Sequence, residues 1–93
     1  MAPPAPGVRP CLALGCRLSE ALEPGATLLM PERAMRLNGP GLHIVRRCDG
    51  QHTVQDIVHE LQALYASAEP AKIEQETCAF LEQLHERRAV DFK

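Results

Sequence analysis

From Val54 to Tyr65 the apolar residues fall at Val54, Ile57, Val58, Leu61, Leu64 and Tyr65. Steps of three and four place all six on one side of an α-helix, whereas a strand would scatter them over both faces. Thr53 stands just ahead with Asp56 three residues on, a variant of the capping box that satisfies the first free amides of a helix. Residues 53–66 are therefore predicted to form an amphipathic helix, whose apolar side has to be buried against something. The chain has 93 residues, so one small domain must supply that partner.

The flanking sequence offers it. Residues 71–87 carry a second helical stripe at Ile73, Thr77, Phe80, Leu81 and Leu84. Upstream, Asn38 suits an N-cap and Pro40 a first helical turn. Leu42, Ile44, Val45 and Cys48 then predict a short helix over 40–48, stopped by Asp49-Gly50. Ahead of the helices the pattern changes to strands. Leu14–Leu18 is a weak first strand, Glu23-Pro24-Gly25 a turn signal, and Ala26–Met30 (ATLLM) a short apolar strand. Pro31-Glu32 should turn the chain, since Pro lacks the amide of a central strand. Arg33–Leu37 (RAMRL) alternates, with Arg33, Met35 and Leu37 on one face and Ala34 and Arg36 on the other.

The predicted class is α+β: a three-stranded antiparallel sheet over about 14–37, followed by three helices. The tight turn between the first two helices resembles a helix-turn-helix in a winged-helix-like domain. Ala89–Phe92 reads as a terminal turn or strand. Residues 1–13 are expected to be a flexible Pro-rich tail, because four of the eight prolines lie in the first ten positions. The domain is then 14–93.

Charge weighs against some functions. Residues 1–50 set six Arg against Glu20, Glu23, Glu32 and Asp49, whereas residues 51–93 carry a net of −4. The third helix, the one that would read DNA, exposes Glu74, Glu76, Glu82 and Glu86, the wrong sign for phosphates. No apolar run is long enough for a membrane span, and the Pro-rich start lacks the features of a signal peptide. Cys48 and Cys78 fall in helical patterns as small apolar residues, which with Cys11 and Cys16 predicts free thiols in a reducing, cytoplasmic setting. Cys48, His52 and His59 follow no zinc-ligand spacing, and no metal or cofactor is expected. Catalytic motifs are absent too: there is no Gly-rich phosphate loop and no nucleophile elbow. Cys78 and His85 would stand roughly 10.5 Å apart along a helix axis, too far to pair. What remains is an interaction surface: Arg33–Leu37 as an edge strand, open to an added strand or simply solvated and guarded by Arg33 and Arg36.

The string Leu28-Leu29-Met30-Pro31-Glu32-Arg33 with Leu37, then Arg47-Cys48-Asp49-Gly50, Thr53-Val54, Ile57-Val58 and Leu61, then Ile73, Phe80-Leu81 and Leu84, resembles the PqqD family of pyrroloquinoline quinone (PQQ) biosynthesis. The resemblance spans about residues 14–90. It implies a winged-helix-like peptide chaperone, a RiPP recognition element, with no chemistry of its own. Such a protein binds the precursor peptide PqqA and presents it to PqqE, a radical S-adenosylmethionine enzyme. The peptide would pair with the third strand, Arg33, Ala34, Met35, Arg36 and Leu37. It would lie against the third helix at Ile73, Thr77, Phe80, Leu81 and Leu84. Pro31 and Glu32 would present the strand. Asp49, Gly50 and Thr53 match the motif, and their chemistry is that of a helix stop, a turn and a cap.

Two departures stand out. Gly39-Pro40-Gly41 forms a hinge between sheet and helices that would allow a swapped homodimer. Arg87-Arg88-Ala89 replaces the Gly expected after the last helix. The competing functions are a small winged-helix DNA-binding regulator and a carrier of the finished quinone, whose carboxylates would need Arg33, Arg36, Arg46 and Arg47.

Overall fold

The computed structural model describes residues 4–20 and 26–93. The Glu23-Pro24-Gly25 turn and the first three residues of the expected tail lie outside them. The described elements are β1 (Pro10–Leu12), β2 (Arg17–Ser19), β3 (Ala26–Met30), β4 (Arg33–Leu37), α1 (Gly39–Arg46), α2 (Val54–Leu64), α3 (Pro70–Glu86) and β5 (Val90–Phe92).

Strands β2, β3 and β4 form an antiparallel sheet in that order, which with the three helices matches the expected α+β architecture. Ala26 pairs with Leu37 and Met30 with Arg33, so Pro31-Glu32 is the two-residue link between β3 and β4. Pro at the first turn position suits this link, because its φ is already set. The first strand is shorter than the periodicity suggests. Leu14-Gly15 is a turn with Gly15 at φ 87°, Leu14 is 99% exposed, and pairing begins only at Arg17.

The N-terminal expectation needs a larger correction. β1 pairs antiparallel with β5, Pro10 opposite Phe92 and Leu12 opposite Val90. Arg9 and Lys93 continue the ladder, each amide donating to the other's carbonyl at 2.7 and 3.0 Å. Pro10 is among the fully buried side chains. Residues 6–12 are thus part of the domain, not a tail beyond it. Pro10 is tolerated because its missing amide falls at the first residue of a strand.

The helices follow the local signals closely. Thr53 Oγ1 accepts from the Asp56 amide at 3.1 Å while Asp56 Oδ2 accepts from the Thr53 amide at 3.0 Å, a complete capping box. Asn38 is the N-cap residue of α1 but makes no side-chain cap bond, and Pro40 occupies its first turn. Cys48 lies one residue beyond the Arg47 C-cap of α1, with its thiol donating to the Ile44 carbonyl at 3.3 Å. α3 ends in a Schellman closure: the Arg88 amide donates to His85 O at 3.0 Å and the Ala89 amide to Leu84 O at 2.9 Å.

The core lies between the three-stranded sheet and the helices. Leu28 and Leu37 meet Ile44 and Val45 of α1, Ile57 and Leu61 of α2, and Leu81 and Leu84 of α3 in one buried cluster that Val90 closes. No described helix is long and apolar enough to cross a membrane.

Candidate functional site

Strand β4 pairs on one side only, with β3, so its other side is an open sheet edge. On such an edge alternate residues present free amides and carbonyls. From Ala34 on, the burial of β4 follows its alternation: Ala34 and Arg36 are exposed, Met35 is half-buried and Leu37 is buried, while Arg33 on the Met35 face is exposed at the strand's end. Arg36 reaches across to its register partner Thr27, with Nη1 3.5 Å from Oγ1.

Beside this edge a cleft of about 360 Å³ opens between β4 and α3. Met35, Arg36 and Leu37 form its strand wall, and Ile73, Thr77 and Phe80 its wall on α3. Six of the ten residues expected to touch a peptide are thereby brought to one cleft. The remaining four stand elsewhere. Leu81 and Leu84 are 0% and 1% exposed, core residues outside the cleft lining. The α3 stripe is wider than one surface needs, so its members divide between core and cleft. Arg33 instead lines a shallow surface hollow with Arg87 and Arg88, and Ala34 is exposed on the strand but borders neither space.

Part of the cleft lies outside the residues expected from the sequence. Tyr65, read as one more member of the α2 stripe, lines it half-buried, together with Pro40 and Gly41 of α1. The Gly39-Pro40-Gly41 departure was the available signal. A Cβ on Gly41 would come within 3.4 Å of Phe80 Cζ, so the missing side chain leaves space that the Phe80 ring borders. Glu76 is the acidic member of the lining, opposite Arg36. The cleft therefore offers an apolar floor, one group of each charge at its rim, and a strand edge ready for pairing.

The remaining motif residues act as turn and cap. Asp49 Oδ1 accepts from the Gln51 amide at 2.8 Å and the His52 amide at 3.2 Å. Gly50 takes φ 76°, a left-handed value that suits Gly. The His52 ring lies between two carboxylates, Nδ1 3.1 Å from Asp49 and Nε2 3.3 Å from Glu60. Its pKa is raised, chiefly by the hydrogen bond to Asp49, with partial burial opposing and the charges of Asp49 and Glu60 adding. Burial pushes the Cys48 thiol up to about 12, which leaves it without thiolate character. Two of the four arginines that a quinone carrier would need are committed elsewhere, Arg46 to Glu20 and Arg47 to Glu60 at 2.7 Å.

Comparison with known proteins adds three findings. Residues 25–90 match the family model of coenzyme PQQ synthesis protein D (PqqD). The PqqA binding protein of Xanthomonas axonopodis pv. citri is 33% identical over 81 residues, covering 86% of this chain and 87% of the relative. The fold also superposes on the solution NMR structure of the PqqD truncation of Methylobacterium extorquens PqqCD. That structure represents a functional, stand-alone recognition element for ribosomally synthesized and post-translationally modified peptides. The TM-score is 0.70 at 32% identity, over 90% of this chain and 88% of that one.

Proposed function

This chain belongs to the PqqD family, and from that premise we propose that it is a non-catalytic chaperone for the precursor peptide PqqA. One observation carries the reading: the unpaired edge of β4 runs along an apolar cleft whose other wall is α3. An extended peptide adds to the edge through backbone hydrogen bonds, which supply affinity with little sequence demand. Its alternate side chains then fall into the cleft against Met35, Ile73, Tyr65 and Phe80, which sets the register. Arg36 and Glu76 at the rim favour a peptide with complementary charges. The role in biosynthesis is presentation: the bound peptide is offered to PqqE, the radical S-adenosylmethionine enzyme that modifies it.

A calorimetric titration with synthetic PqqA and a scrambled control tests the binding, and amide exchange by NMR on the same complex tests the mode. The expected result is saturable binding of the true peptide alone, with new protection at alternate residues of 33–37. Binding without any change along β4 would refute strand addition. A folded protein that binds neither peptide would refute the chaperone reading.

A further inference from the structure

Helix α3 has a second open side. At 100° per residue, Glu74, Cys78 and Glu82 stand roughly opposite Phe80 and Ile73. They border a groove of about 890 Å³ between α3 and α2, remote from the peptide cleft on the other side of the helix. Val54, Val58, Ala79 and Pro6 supply its apolar surface, and His59 and glutamines its neighbouring polar lining. Cys78 is half-buried in its lining and stands one helical turn from Glu74 and one from Glu82; burial first, and then those two charges, raise its thiol pKa. Eight residues separate those carboxylates, so they mark points about 12 Å apart along the helix. No Lys or Arg is among the described residues that line the groove.

Resting on the reading above, we propose that this α2–α3 groove is the docking site of the peptide-modifying enzyme, which enters with a basic segment carrying an apolar side chain. The apolar side chain lies over Cys78 and Ala79, and two cations flank it at Glu74 and Glu82. Charge selects this occupant: Glu74 and Glu82 are the carboxylates of the described lining and no Lys or Arg offsets them, so the groove repels an acidic partner and favours a basic one. The geometry also suits presentation, because enzyme and peptide occupy opposite sides of one helix and do not compete.

The test compares the wild type with Glu74→Lys/Glu82→Lys and, separately, Ala79→Arg. Each is titrated with the radical S-adenosylmethionine enzyme and, in parallel, with PqqA. Both variants should keep peptide affinity within about twofold, which also reports that they are folded. Enzyme affinity should fall at least about tenfold in each, since like charges set face to face oppose association strongly. Wild-type affinity for the enzyme should weaken as salt rises, more steeply than in the double variant. Unchanged enzyme binding by both variants would overturn the docking site while leaving the chaperone reading intact. Peptide binding by the wild type with no enzyme binding would overturn the occupant. Loss of peptide binding in the wild type would instead strike the reading on which the proposal rests.

Discussion

The Phe80 ring faces the backbone of Gly41: a Cβ there would stand 3.4 Å from Phe80 Cζ and 3.7 Å from Leu37 Cδ2. The first turn of α1 is therefore a wall of the β4–α3 cleft, open because this residue has no side chain. Gly41 is not in the left-handed region, so Ala fits without backbone strain. Gly41→Ala is expected to stabilise the fold by about 0.5 kcal/mol, through reduced freedom of the unfolded chain. Gly41→Leu puts a branched side chain against Phe80 and should weaken peptide binding at least about tenfold. Urea midpoints check the first expectation and calorimetry the second. Full peptide affinity in a folded Gly41→Leu protein would show that the peptide does not use this part of the cleft.

Arg88 closes α3 at φ 60°, the one described non-glycine residue with positive φ. The Schellman hydrogen bonds require that conformation, and an L-residue adopts it at a cost of roughly 1 kcal/mol. Arg88→Gly should therefore raise stability by about 1 kcal/mol and move the urea midpoint upward with an unchanged slope. A lower midpoint would mean that the Arg88 side chain contributes more than its backbone costs.

The carbonyls of Pro6 and Val8 accept from the amides of Gln55 and Val54 at 3.1 and 2.9 Å. These are the first two amides of α2, and the Thr53–Asp56 box satisfies their neighbours. Deleting residues 1–8 hands those two donors back to water and is expected to cost about 1–2 kcal/mol. Deleting residues 1–12 should cost more, because it also removes buried Pro10 and leaves β5 without a partner strand. Thermal unfolding followed by circular dichroism ranks the three proteins. Equal midpoints would refute a structural role for this segment.

The His52 network predicts a pH signature. The folded-state pKa of His52 is raised above its ordinary 6.5, so its contribution is complete below that value and is lost as pH climbs through the raised pKa. Asp49 is shifted the other way. Burial opposes ionisation, but the hydrogen bonds from the His52 ring and from the Gln51 and His52 amides outweigh it, and its pKa is lowered from 3.8. Its contribution is present above 3.8 and is lost as pH falls through the lowered value. The stability gap between wild type and His52→Ala should accordingly be wider at pH 5.5 than at pH 8. The effect should be modest, because the pair is partly exposed. A gap that is constant across this range would remove the ion pair from the fold's pH dependence.

The elements whose signals are local are legible in the sequence. The helix over α2 follows from apolar spacing and from Thr53 and Asp56, which cap it within a single turn. The β3–β4 hairpin follows from two short strands joined by Pro31-Glu32, and the strand wall of the cleft came with it, since Met35, Arg36 and Leu37 are consecutive. The role proposed for that strand rests on the family resemblance. The tertiary structure decided what depends on residues distant in sequence. It paired β1 with β5 from opposite ends of the chain and so drew a Pro-rich segment into the domain, although no local pattern marks residues 10–12 as a strand. It also divided the α3 stripe, sending Leu81 and Leu84 to the core and Ile73 and Phe80 to the cleft. It placed Tyr65 and Gly41 at the same opening. Periodicity says only that a residue lies on the apolar side of its helix; whether that side meets a sheet, another helix or an open cleft is decided by the packing of all the elements at once.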